Sequence, residues 1–168
     1  MGIDLYKTLI TLAEAEAPQS VTLDGEDLTR IFANRTDTLD REGLYWHLPG
    51  YLIGGGRDQR PQSVVRSGKW KLLYNYEDLS FELYDLDSDL AEANNLAQKQ
   101  PAVAEKLGMQ LMRWLASVNA PLARLRKGQL KVDVTGKVYR DGQMTDASEP
   151  FIVHAGEAVP MVVRQPGG

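Results

Sequence analysis

Two histidines, His47 and His154, stand more than 100 residues apart, and the 168-residue chain has no cysteine. Hydrolytic catalysis in general asks for a nucleophile, a charge clamp for a developing oxyanion and a general acid for the leaving group. No stretch brings those residue types together, and no acidic cluster has metal-ligand spacing. "DLDSDLAE" (85–92) is rich in acids but lacks the glycine and spacing of an EF-hand loop. Asp89 or Ser88 reads there as an acceptor for backbone N–H groups ahead of a helix. His47 lies between Trp46 and Leu48 on a short extended run, so its side chain faces opposite to both. "GGGRDQR", Gly54 to Arg60, has the glycines of an anion cradle, but a cradle needs a helix N-terminus next. Pro61 and a strand follow instead, so the segment reads as a loop. Its Arg57 and Arg60 are left as guanidinium contacts for an oxyanion. Arg66, Lys69 and Lys71 read as the solvated outer face of a hairpin, and His154 as an ordinary strand residue.

The elements that must position these residues follow from periodicity. "DLYKTLITLAEAEAP" reads as a helix capped by Asp4, with Leu5, Leu9 and Leu12 in a narrow apolar stripe and Pro18 as its stop. Asp24-Gly25 signals a turn, after which a short helical turn is expected to bury Leu28, Ile31 and Phe32. The period then changes to two. "GLYWHLP" is a strand ended by Pro49, and "SVVRSGKWKLLYNYE" is a hairpin turning at Ser67-Gly68 with Trp70, Leu72 and Tyr74 on one face. "SFELYDL" is the next strand, with Phe81 and Leu83 on one side.

A long helix beginning near Pro101 carries Val103, Leu107, Leu111, Trp114, Leu115 and Val118 as a wide apolar stripe. The expected fold class is therefore α+β: a small antiparallel sheet of three to four strands, packed by this helix. From Asn119 onward an irregular β-rich tail is expected, with weak strands at Leu130–Val134 and Phe151–Val153 and a fraying end at "PMVVRQPGG". The division expected is residues 1–118 as one subdomain and 119–168 as an extension.

Composition bounds the partners. A hydrophobic fraction of 43% with 25% charged residues suits a globular domain that needs no staple. A net charge of -4 with scattered basic residues speaks against nucleic acid. The apolar runs fall far short of the ~20 residues of a membrane span, and no signal-peptide order stands at the start.

At this point the order of motifs is familiar. "MGIDLYKTLITLAEAEAPQSVTLDGEDLTRIF" resembles a sulfatase segment in which an aspartate–aromatic–proline–threonine–leucine helix precedes a leucine–aspartate–glycine turn, although Lys7 stands where that family prefers proline. "LYWHLPGY" resembles the tryptophan–histidine–x–proline strand of bacterial sulfatases. "SVVRSGKWKLLYNYEDLSFELYDLDSDLAEANNLA" resembles their C-terminal hairpin, followed by an aspartate, glutamate, asparagine and leucine that stand here as Asp89, Glu92, Asn95 and Leu96. The resemblance covers Met1 to Val118 and is to the C-terminal subdomain of the arylsulfatase-like family, within the alkaline-phosphatase-like superfamily.

It implies a four-stranded antiparallel sheet closed by a terminal helix. It also implies that the catalytic apparatus lies in an upstream α/β domain. That domain uses a divalent cation, usually calcium, and a formylglycine made in a cysteine/serine–x–proline–serine/alanine–arginine motif. This chain has no cysteine, and "SEPFI" at Ser148 lacks the small residue and the arginine. No catalytic residue, metal ligand or cofactor is therefore assigned to it. What the resemblance leaves here is a substrate rim, for which His47, Tyr51, Arg57 and Arg60 are the candidates. The partners implied are the upstream catalytic domain and a sulfated small molecule or glycan, with a periplasmic or secreted location. A stand-alone interaction module, or a remnant that self-associates through an exposed apolar surface, is the alternative.

Overall fold

The hairpin at Ser67–Trp70 organises the larger part of the molecule. Gly68, at φ +56°, opens its two-residue turn in the left-handed region that such hairpins require. In the computed structural model, which describes residues 1–35, 38–52 and 59–164, the strands are β1 (Leu44–Leu48), β2 (Gln62–Ser67), β3 (Trp70–Asn75) and β4 (Ser80–Asp85). They form an antiparallel meander in the order β1-β2-β3-β4. The register pairs Trp46 with Val64 and Leu72 with Leu83, so period-two alternation sorts the side chains onto two faces. The inner face carries Val65, Leu72, Tyr74 and Leu83, all fully buried.

The long helix (Pro101–Ser117) covers that face. Its numbering here is α3, after two short helices at the start of the chain, α1 (Ile3–Leu12) and α2 (Thr29–Phe32). Pro101 sits in its first turn, where a missing N–H costs nothing. Leu107, Leu111 and Leu115 are buried as the stripe predicts, and Trp114 stacks on Tyr45 with ring centroids 4.8 Å apart. Val118 is exposed instead, because the helix has ended at Ser117 and the chain has already turned away.

The approach to α3 is tied down by the motif that the resemblance singled out. Asp89 accepts the N–H groups of Ala93 (3.1 Å) and Asn94 (2.8 Å). Asn95 Oδ1 accepts those of Leu83 (3.1 Å) and Ala97 (2.9 Å), while the Leu96 N–H donates to the Leu83 carbonyl at 2.7 Å. The Lys71 ammonium reaches both carboxylate oxygens of Glu92, at 2.6 and 2.7 Å. Acid, acid and amide at these positions are thus the fasteners of a connection that has no regular structure of its own.

The residues beyond Asn119 are more ordered than their sequence suggests. β5 (Gln129–Val132) pairs with β8 (Phe151–His154), and β7 (Gln143–Ala147), β6 (Gly136–Arg140) and β9 (Met161–Arg164) make a three-stranded sheet. The end expected to fray is β9 as far as Arg164, with Met161, Val162 and Val163 buried. Its valines were legible as apolar, but only the fold supplies the partner strand, β6, that orders them. Tyr139, Val159, Met161 and Val163 share one core with α3 and the first sheet. By contact the chain divides into Met1–Glu42 and Gly43–Gly168. The boundary read at Val118 concerns resemblance, and the division at Glu42 concerns contact.

The Tyr74 hydroxyl joins the family-like sheet to the extension: it donates to the Pro160 carbonyl (3.3 Å) and accepts the Val162 N–H (3.0 Å). Burial pushes its pKa far up, so it remains a hydroxyl at any working pH. Tyr74→Phe strands one buried donor and one buried acceptor and is expected to destabilise the Gly43–Gly168 unit by about 1–3 kcal/mol. Urea unfolding followed by tryptophan fluorescence measures this, since Trp46, Trp70 and Trp114 all lie in that unit.

The Met1–Glu42 unit departs most from expectation. Asp4 is not the cap of α1 but lies in its first turn, and Gly2 is the capping position. The helix stops at Leu12 through Glu14 at φ +52°, well before Pro18. Its buried face is polar: Asp4 and Thr8, one turn apart. Leu5, Leu9 and Leu12 remain exposed, Leu9 at 61%, and so does Phe32. The reason is the close approach of the Asp24-Gly25 turn, where a Cβ on Gly25 would lie 2.1 Å from the Ile3 carbonyl oxygen. At that separation backbone meets backbone, and hydrogen bonds replace side-chain packing. Among the described residues no helix is long and apolar enough to cross a membrane.

Candidate functional site

Alternation along β1 turns His47 to the inner side of the sheet, opposite Trp46 and Leu48, as expected. There both ring nitrogens are engaged. Nε2 lies 2.6 Å from the Pro121 carbonyl oxygen, which only accepts, so Nε2 carries the proton. Nδ1 lies 2.7 Å from Ser63 Oγ, which in turn lies within hydrogen-bond distance (3.0 Å) of the Tyr76 hydroxyl. Burial, eased by the bond to Ser63, pushes the Tyr76 pKa up to about 12, which keeps that proton in place. The Tyr76 ring also meets the imidazole edge-on at 6.2 Å. This set of contacts fastens β1, β2 and the residue that follows β3 to the segment after α3. Ser63 stands directly opposite His47 in the β1–β2 register, so the pair is findable once the strands are aligned, whereas Pro121 is visible only in three dimensions.

Two of the other rim candidates meet at one carboxylate. Tyr51 donates its hydroxyl to Glu77 Oε1 (2.6 Å), and Arg60 Nη1 lies 3.2 Å from Glu77 Oε2. The carboxylate raises the Tyr51 pKa, by its hydrogen bond first and then by desolvation and charge. Arg57 lies outside the described residues. The sequence reading missed Glu77, yet the hairpin could have found it. Counting outward from the Ser67–Trp70 pair brings Arg60 opposite Glu77, just beyond the Gln62–Asn75 pair.

The outer face of the sheet holds an open cavity of about 580 Å³. Trp46, Leu48, Val64, Leu86 and Leu90 give it apolar walls, and Arg66 and the Lys71–Glu92 pair give it polar ones. Lys69 is paired with Asp85 at 2.7 Å and lies over the Trp70 ring. Arg66 and Lys71 are thus on the outer face as expected, whereas Lys69, in the turn, is drawn toward Asp85 and Trp70 on the inner side; Lys69 and Lys71 are each engaged by a carboxylate. Among the described residues no three histidine or acidic side chains converge to hold a metal ion.

A helix-backed, four-stranded antiparallel sheet with these fastening motifs is the architecture of a sulfatase C-terminal subdomain. Residues 1–120 match the family described as N-sulphoglucosamine sulphohydrolase, C-terminal, and the chain belongs to it. A protein named "Sulfatase" from Formosa agariphila is 36% identical over 145 residues, covering 77% of this chain and 25% of that protein. Among solved structures, a 2-O GAG sulfatase superposes with a TM-score of 0.56 at 22% identity, over 70% of this chain and 25% of its own. i-CgsB in complex with k-i-k-neocarrahexaose gives 0.52 at 21% identity, over 66% and 23%. At such identities the two structures speak to fold alone. The chain spans about a quarter of the length of the relatives it matches.

Proposed function

We propose that this chain is the C-terminal part of a sulfuric ester hydrolase, completing the fold and the substrate cleft beside a catalytic domain that carries the reacting groups. The observation that supports this reading is the family match over residues 1–120 in a chain with neither a cysteine nor a serine in a formylglycine motif. On this reading the formylglycine and the calcium belong to the upstream domain. The residues here hold shape: the His47 contacts and the Asp89–Leu96 fasteners keep the sheet rigid. The exposed stripe of α1 and the apolar cavity around Trp46 are surfaces for that domain to cover. The substrate class that the family description suggests is a sulfated amino sugar within a glycan.

The test compares the purified chain with a longer protein that joins it to such a domain, using N-sulfoglucosamine and an aryl sulfate as substrates. Turnover is expected only from the longer protein. Turnover by the chain alone, abolished by a point substitution within it, would overturn the proposal.

A further inference from the structure

We infer that a groove shared between the family-matched segment and the residues beyond it binds a sulfated, anionic saccharide. The sulfate in that statement rests on the sulfatase reading, whereas the preference for an anion rests on the groove itself. Tyr51, Tyr76 and Glu77 form one side, and Arg124, Arg126 and Lys127 line the other. Its volume of about 320 Å³ is at the small end of ligand sites, room for about one sugar ring at a time.

Among the described residues Glu77 is the one acid of the lining, and it is already satisfied, since it accepts from Tyr51 and pairs with Arg60. Arg124 donates Nη1 to the Gly156 carbonyl at 2.9 Å, which orients its guanidinium. Arg126 and Lys127 have no hydrogen-bond or ion-pair partner among the described residues. In a chain of net charge -4, this rim therefore reverses the local field.

The backbone beneath these cations is fixed. The Val159 N–H donates to the Ala123 carbonyl (2.5 Å), Leu125 to Glu157 (2.9 Å), Gly156 to Leu125 (2.7 Å) and Ala155 to Gly128 (3.0 Å). The charges are displayed from a ladder, so little backbone entropy is lost when a ligand meets them. Guanidinium forks match the oxygens of a sulfate, and the Tyr51 ring, 57% exposed, gives the apolar face of a sugar something to lie against. A nucleic acid is the weaker fit: it asks for an extended basic stripe, and this groove is one ring long.

The experiment is titration calorimetry of the 168-residue chain with a heparin tetrasaccharide, which carries N-sulfoglucosamine. The desulfated tetrasaccharide, inorganic sulfate and a short single-stranded DNA serve as comparison arms. The heparin fragment is expected to bind at least tenfold more tightly than any of the three. Arg126→Ala combined with Lys127→Ala is expected to weaken it a further tenfold or more at an unchanged melting temperature. Absence of binding, binding untouched by the double substitution, or DNA binding as tightly as the saccharide would each remove the site. Any of these alongside turnover by the longer protein would leave the sulfatase reading standing, and a dead longer protein with a binding chain would do the reverse.

Discussion

Asp4→Ala is expected to cost the Met1–Glu42 unit about 3–5 kcal/mol, the usual penalty for removing one partner of a buried ion pair. Asp4 is 1% exposed, and its carboxylate accepts the Glu26 N–H at 2.8 Å and Arg41 Nη2 at 2.6 Å. The Thr8 hydroxyl completes the arrangement, donating to the Asp4 carbonyl (2.7 Å) and accepting the Leu28 N–H (3.0 Å). Removing the carboxylate leaves the half-buried Arg41 cation and the Glu26 amide without their acceptor. Amide exchange at Glu26 and Leu28 reads the loss locally and is expected to accelerate on the order of 10² or more. Equal exchange in the variant and the parent would show that the pair holds nothing together.

The same residue sets a pH dependence. Burial is the largest single effect on Asp4 and pushes its pKa up, but the bonds from Arg41 and the Glu26 N–H lower it, and the net shift is downward. Its pKa is therefore held well below the usual carboxylate range. A lowered folded-state pKa means that the unfolded chain binds the proton first as pH falls. The stabilisation is thus complete above about pH 5 and is lost progressively through pH 4 and below. Asp4→Asn removes that slope, so the difference between the parent and Asp4→Asn across this window isolates the group.

In the larger unit, Leu111→Ala is expected to cost about 2–5 kcal/mol. Leu111 is fully buried in the middle of α3, in one core cluster with Leu72, Leu83 and Met161. The loss combines transfer of the side chain with the cavity it leaves. With a urea slope of about 2 kcal/mol/M, the middle of the usual range, the tryptophan-monitored midpoint should fall by roughly 1–2.5 M. Leu111→Met, which conserves volume, should cost less than about 1.5 kcal/mol. Val118→Ala, at the exposed far end of the same stripe, should leave the midpoint almost unmoved. Equal shifts for Leu111→Ala and Val118→Ala would contradict the packing described for α3.

The contrast between those two positions shows how far the chain could be read in advance. Strong periodicity over many residues survives folding: the hairpin, β4, α3 with Pro101 in its first turn, and the alternation that turns His47 away from Trp46 were all legible. α1 was legible as a helix but not by its burial. The pattern marked Leu5, Leu9 and Leu12, whereas the fold buries Asp4 and Thr8. Short strands such as β6, β7 and β9 carry too few residues for a period to stand out, and only their pairing defines them. The candidate site fared likewise. Tyr51 and Arg60 were named, but Glu77, which holds both, and the Arg124–Lys127 wall, far away in the chain, were not.

Local order, the α+β class and the sulfatase resemblance were thus written in residue types and spacing, because hydrophobic period, turn chemistry and motif order act between near neighbours. Three facts belong to the folded molecule alone: the burial of Asp4 against Arg41, the seating of β9 in the core of α3, and the meeting of Tyr51 with the basic segment after Pro121. Each is a contact between groups many residues apart, and such contacts are selected by the free energy of the whole unit, which no window of sequence contains.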